Sequence, residues 1–208
     1  MRRSDGDARR AQLLEAALHA LSERGIVDLR IRDIADAAGV ATGTVHYHFK
    51  DLDDLLVAVH EEAVDRFVGA RQEMVAALPD ARDKALALID TGVPEDASDI
   101  LVNALYDLNT LVRRRAVHRT MSRALTDQQV TLYAAVIEVG IAQGHFSPAA
   151  ASADVAANAV ALEDAFGIYI TSFGGRFTAA RARTLMRVHL AEALRCPGLA
   201  SDLKEDIA

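Results

Sequence analysis

One cysteine, no tryptophan and four prolines in 208 residues leave several structural classes without material. With Cys196 alone no intrachain disulfide can form, so the chain is not a disulfide-stapled scaffold, and a reducing cytoplasm is the expected setting. Three of the prolines follow Leu78, Val93 and Cys196, where they punctuate helical stretches instead of interrupting them. No alternating run of Val, Ile and Thr is long enough for a sheet. No apolar stretch reaches the ~18 residues of a membrane span. The opening MRRSDGDARR has no apolar region behind its arginines and does not read as a signal peptide. Neither a glycine-rich phosphate loop nor a nucleophile-elbow sequence occurs, and no cofactor-binding signature is found.

What remains is rich in alanine and leucine, poor in aromatics and long enough for a substantial core, so an all-α fold is expected. Leu14, Leu18 and Leu21 mark an amphipathic helix over residues 9–24, ended by Gly25, with Ile26 placed to pack back on its last turn in a Schellman contact. A longer helix is predicted over 51–78, with Asp51 as cap, Asp54 at its third position and Leu52, Leu55, Leu56, Val59, Ala63 and Phe67 as its stripe. Further helices are expected over 81–91, 97–115, 127–143, 151–173 and 179–195, with a break near 122–126. Stops are expected at Gly144 and at Gly174 with Gly175, and a frayed acidic tail after Ala200.

The most informative stretch is 31–50, IRDIADAAGVATGTVHYHFK. Ile34, Ala35 and Ala38 form the stripe of a short helix, and Gly39 stands where a left-handed terminating residue is wanted. Thr42 is a candidate cap for the next helix. Val45 and Phe49, four apart, share its buried face. At ~100° per residue the opposite face holds Gly43, Thr44, His46, Tyr47 and Lys50, which is small, polar, aromatic and basic. Such a face can enter a major groove, so the stretch is a helix-turn-helix candidate with its second helix as the reader.

From Gln12 to Leu56 the chain resembles the N-terminal domain of TetR-family transcriptional regulators, in AALHALSERGIVDLRIRDIADAAGVATGTVHYHF and the continuation DLDDLLVAV. The resemblance implies a three-helix helix-turn-helix domain over 1–50 and a C-terminal helical ligand-binding and dimerisation domain over 51–208. It implies a non-enzymatic, ligand-responsive regulator, a homodimeric repressor released from a pseudo-palindromic double-stranded DNA operator by a small-molecule effector. The expected DNA contacts are Arg30, Thr42, Gly43, Thr44, His46, Tyr47, His48 and Lys50. Arg30 stands where family members often carry Thr or Ser, and Leu52 where a lysine is common. The alternative is a helical ligand-binding or partner-binding dimer that does not bind DNA.

Charge is divided unevenly. Of 23 Lys+Arg and 30 Asp+Glu, residues 1–52 hold eight of each, so the whole net charge of −7 lies beyond them. Phosphate contact depends on local patches, not on the total. The arginines Arg2, Arg3, Arg9 and Arg10 read either as a solubilising tail or as a DNA-contacting arm.

Metal chemistry finds little support. His46 and His48 lie two apart and point ~200° from each other, and His60-Glu61-Glu62 lacks the second histidine of a zinc-protease helix. Cys196 reads as a helix-end residue. The implied effector cavity has candidate lining groups in polar or aromatic residues on apolar faces: Phe67, Asn103, Tyr106, Asp107, Met121, Tyr133, Glu163, Phe166 and Tyr169. Asp107 and Glu163 need partners inside apolar helices. Those partners are either internal arginines such as Arg71, Arg113 or Arg123, or a cationic effector.

Overall fold

A computed structural model describes residues 5–173 and 177–205. Arg2, Arg3, Gly174 and Gly175 therefore lie outside the described residues. Among those described there is no strand, and the chain is built from helices α1 (Asp5–Asp28), α2 (Ile31–Ala37), α3 (Thr42–His48), α4 (Leu52–Ala77), α5 (Ala81–Gly92), α6 (Ile100–Asn109), α7 (Ala116–Ala142), α8 (Ser152–Ile168) and α9 (Ala179–Ala193). They form two compact units. One takes the chain up to Phe67 together with Ser98–Arg123; the other takes Val68–Ala97 and the chain from Ala124 onward.

In the first unit α1 packs on α2 and α6, and α2 on α3. Leu13, Leu14, Leu18 and Leu21 of α1, Ile34 of α2, Val45 of α3, Phe49, Leu55 and Val59 are buried. Each such side chain is worth about 1.5–3 kcal/mol when fully removed from water, which fixes which face of α3 points inward. The Gln12 amide donates to the Ala38 carbonyl at 2.9 Å and ties α1 to the end of α2. Gly39 takes φ 66°, and the Val40 amide reaches back to the Ala35 carbonyl at 2.9 Å, the left-handed stop expected there.

Three local expectations change. Gly25 breaks the helical path at φ 69°, but its ψ of 163° lies outside the left-handed helical well, so no Schellman stop forms and one further turn carries the chain to Asp28. Thr42 does not cap α3. Extended Ala41 holds that place, with its carbonyl accepting from the Thr44 amide, and Thr42 is already helical. Arg30 occupies the cap of α2, where its own amide donates to the Asp33 carboxylate at 2.8 Å. An arginine side chain has no acceptor to return that bond, so only half of a capping box exists.

The start of α4 follows expectation: the Asp51 carboxylate accepts from the Asp54 amide and the Asp54 carboxylate from the Lys50 amide. The expected break at 122–126 is absent. The chain turns earlier, through a tight 3-10 turn at Thr110–Arg113, where the amides of Arg114 and Arg115 share the Leu111 carbonyl. Three consecutive exposed arginines have no apolar surface to bury, whereas a Ser or Thr inside a helix costs only tenths of a kcal/mol, so α7 runs unbroken past 122–126.

The second unit has its own core, with Leu88 and Ile89 of α5, Tyr133, Val136 and Ile137 of α7, Ala156 and Val160 of α8, and Ala182, Met186 and Leu190 of α9. Asp80 and Thr178 cap α5 and α9 through their side chains. Helix α8 ends in a wider π turn over Tyr169–Phe173. After Cys196, which is buried, the chain forms a 3-10 segment, Pro197–Glu205, where a frayed tail was expected. Leu199 is the reason: it is buried in the same core.

Candidate nucleic-acid interface and buried polar clusters

With Val45 and Phe49 locked inward, α3 presents Thr42, Gly43, His46 and Tyr47 to solvent, with Thr44 and His48 partly covered. Tyr47 is 85% exposed, and its ring meets that of His48 edge-on at 5.1 Å. Leaving an aromatic ring this bare forgoes burial that the fold could otherwise use, which marks a surface kept for contact. Lys50 is exposed at the C-terminal end of this face, and the Arg10 guanidinium lies 5.2 Å from the centre of the Phe49 ring behind it. Arg30 is exposed too, with Nη1 donating to the carbonyls of Val27 and Leu29. The eight sequence-predicted DNA residues thus sit on α3 or at the ends of the helices flanking it.

This geometry matches a known family. The model for bacterial regulatory proteins of the tetR family matches residues 13–59. The HTH-type transcriptional repressor KstR2 of Rhodococcus jostii is 32% identical over 146 residues, covering 69% of this chain and 70% of that protein. The chain belongs to the TetR family. It is a DNA-binding transcription regulator and not an enzyme. HTH-type transcriptional regulator BetI of Klebsiella pneumoniae is 40% identical, but over 72 residues, 35% of this chain and 37% of that one. Among solved structures, a TetR transcription regulator from Haloarcula marismortui superposes with a TM-score of 0.82 over 90% of this chain and 99% of that one at 23% identity. A regulator from Saccharomonospora viridis solved in complex with choline gives 0.81 over 89% and 96% at 22% identity. At those identities the likeness concerns the fold.

The candidate effector residues fall in both units. Phe67, Asn103, Tyr106, Asp107 and Met121, all partly buried, belong to the first. Burial raises the pKa of the Asp107 carboxyl. Tyr133, Glu163, Phe166 and Tyr169 belong to the second. There the partner of Glu163 is Arg71, one of the arginines the sequence offered. The two are 2% and 3% exposed and form a two-pronged pair, Nη2 to Oε1 at 2.8 Å and Nη1 to Oε2 at 3.2 Å. Tyr133 donates its hydroxyl to the same Oε1 at 2.7 Å, and Arg71 also donates to the Gln129 side chain and the Leu88 carbonyl, each at 3.1 Å. Burial opposes the charge on Arg71, but Glu163 and Tyr133 outweigh it and leave its pKa raised. Burial and the adjacent Glu163 charge push the Tyr133 hydroxyl well up. Gly92 lets this cluster close: a Cβ there would lie 1.6 Å from Glu163 Oε1. Phe166 and Tyr169 are joined through Phe177, whose ring is 5.4 Å from one and 5.3 Å from the other.

Sequence reasoning missed one buried site in the first unit. His60 of α4 and His118 of α7 are 1% and 2% exposed, with Nδ1 atoms 2.8 Å apart and rings stacked at 5.1 Å. One Nδ1 must donate and the other accept, so the accepting ring is neutral and the two rings cannot both be protonated while the bond holds. Burial, then the neighbouring imidazole, lowers the His60 pKa to about 4. Burial and the Arg115 charge lower that of His118 against an opposing pull from Asp53. His60 continues the stripe of Val59 and Ala63, which was the available signal. Among the described residues no group of three or more His, Cys, Asp or Glu is placed to hold a metal.

Proposed function

We propose that the protein acts as a homodimeric repressor, with residues 1–50 binding a pseudo-palindromic operator and residues 51–208 binding an effector and dimerising. The observation that carries the DNA half is the bare face of α3: Tyr47 stands 85% exposed on a helix whose other side is anchored by Val45 and Phe49. Thr44, His46 and Tyr47 meet bases or phosphates, and Arg30, His48 and Lys50 hold the backbone, with Thr42 and Gly43 at the helix end nearest the groove floor. Two such helices dock together only at a fixed spacing, about 34–36 Å for successive major grooves. Dimerisation through α8 and α9 is supported by the exposed small and apolar residues Ala157, Ala161 and Ile168 on α8.

Release follows if an effector favours a tilt of α4 that spreads the readers, which needs only about 1–3 kcal/mol of differential binding. In the first unit Phe67, Asn103, Tyr106 and Met121 are the proposed effector contacts. Glu163 is neutralised by Arg71, so it does not favour a cationic ligand. Asp107 is the acid that would select a cationic or amine effector, being half-buried with its pKa raised. Gel-shift titration against DNA flanking the regulator's own gene tests the reading. The parent shifts a fragment and Tyr47→Ala does not; no shift at low salt by either protein would favour a dimer without DNA binding. Mass spectrometry of any copurifying small molecule tests the effector's charge.

A further inference from the structure

Arg113, Arg114, Arg115, Arg119 and Arg123 fall within eleven residues, with no acid between Asp107 and Asp127. All five are exposed, and all lie in the compact unit that contains α1, α2 and α3. The part of that unit nearest the reader, residues 1–52, is neutral, whereas Ser98–Arg123 sets five arginines against Asp99 and Asp107 alone. One contact fixes where the run sits. The Arg115 guanidinium is bonded to the carboxylate of Asp53, in the first turn of α4 and three residues beyond Lys50. Arg119 is oriented by its Nε, which donates to the Val112 carbonyl at 3.1 Å. Arg113 and Arg114, on the turn just before Arg115, have no side-chain partner among the described residues. His118 and its buried bond to His60 hold the start of α7 against α4.

We propose that Arg113, Arg114 and Arg119 form a second phosphate-binding patch, which engages the DNA backbone beside the segment gripped by α3 and supplies the attraction that residues 1–52 lack. The occupant is duplex DNA because the patch flanks the Lys50 end of the reading surface and its exposed groups are guanidinium charges, with no aromatic ring within the run on which a base could stack and Val117 its one exposed large apolar side chain. The inference rests on the DNA-binding reading and leaves base recognition with α3. Arg115 positions the patch through Asp53.

The test uses fluorescence anisotropy with labelled 40-bp duplexes that the parent protein recovers from a random-sequence pool, titrated between 50 and 300 mM salt (about the range over which such slopes are read). Two phosphate contacts account for a slope of about 1.8 in log K against log salt. Arg113→Gln/Arg114→Gln should therefore lower the slope by roughly 2 and weaken binding tens-fold near 0.1 M salt while leaving the preferred sequence unchanged. Arg113→Lys/Arg114→Lys, which keeps the charge, should restore both. An unchanged slope in the Gln variant overturns the patch while DNA binding stands. A parent protein that recovers no duplex overturns both readings. Neither residue has a side-chain partner in the fold, so thermal melting of the variants should match the parent.

Discussion

Replacing Glu163 by leucine should cost the protein a large share of its stability, and the reason can be followed atom by atom. The substitution keeps a similar volume but removes both acceptors of the Arg71 fork and the acceptor of the Tyr133 hydroxyl. Arg71, 3% exposed, then keeps its charge without a carboxylate beside it, while its bonds to the Gln129 side chain and the Leu88 carbonyl survive. Removing one member of a buried ion pair costs about 3–5 kcal/mol, and the two surviving bonds place this case toward the lower end. The stranded tyrosine hydroxyl adds about 1 kcal/mol. Against a total of about 5–15 kcal/mol for a domain, a loss near 4 is decisive. Arg71→Met/Glu163→Leu removes the stranded charge and should recover most of that loss, because a buried pair and its apolar replacement are often close in energy. Urea unfolding followed by far-UV circular dichroism, at one fixed protein concentration, measures both variants and their coupling. A loss below about 1 kcal/mol in Glu163→Leu, or a double variant as unstable as the sum of the singles, would show that the cluster is not the buried charge pair described.

Two further outcomes follow from the same geometry. Gly92→Ala places a methyl 1.6 Å from Glu163 Oε1, and that oxygen cannot retreat while Arg71 and Tyr133 hold it; a loss at the upper end of about 1–3 kcal/mol in thermal unfolding is expected, and a neutral variant would contradict the close approach. For the histidine pair, the unfolded chain binds a proton near the ordinary pKa of 6.5 while folded His60 does so only at about 4, so the folded state holds fewer protons in between. Stability is therefore flat above 6.5 and falls as pH drops through that window, by at most about 1.4 kcal/mol per pH unit for His60, with His118 acting in the same direction. Subtracting the profile of His60→Gln/His118→Gln isolates the effect, and identical profiles would refute it.

Much of the first unit was legible because its signals are local. The stripe of α1, the left-handed Gly39, the inward Val45 and Phe49 and the Asp51–Asp54 cap of α4 each depend on residues within one or two turns. Thr42 misled because cap preference weighs a hydroxyl, whereas Ala41 takes the position through its extended backbone. The break in 97–143 was misplaced because polar Ser and Thr residues resemble an interruption, although their hydroxyls bond back within a helix, as Thr120 and Thr131 do to the carbonyls four residues earlier. Arg71 could be named as a partner for Glu163 from the demand of a buried acid, but so could Arg113 and Arg123, which proved exposed. A pairing 92 residues apart has no local trace. The His60–His118 bond was invisible for the same reason, and so was the company the arginine run keeps.

Two buried polar contacts between α4 and α7 have the same spacing along the chain. His60 meets His118 and Arg71 meets Gln129, each pair 58 residues apart and each joining α4 to α7. The two contacts are thus eleven residues apart on both helices. Eleven residues make about three turns, so on each helix both polar groups lie on one face. Each contact belongs to a different compact unit, and α4 and α7 are the helices that pass from one to the other. Apolar contacts tolerate small slides, but a buried hydrogen bond has few alternative partners, and moving it by a fraction of a turn strands a donor at a cost of about 1–3 kcal/mol. That equals the differential binding an effector needs to supply. Helices α4 and α7, pinned to each other by a polar bond in each unit, have discrete arrangements to choose between instead of a continuum.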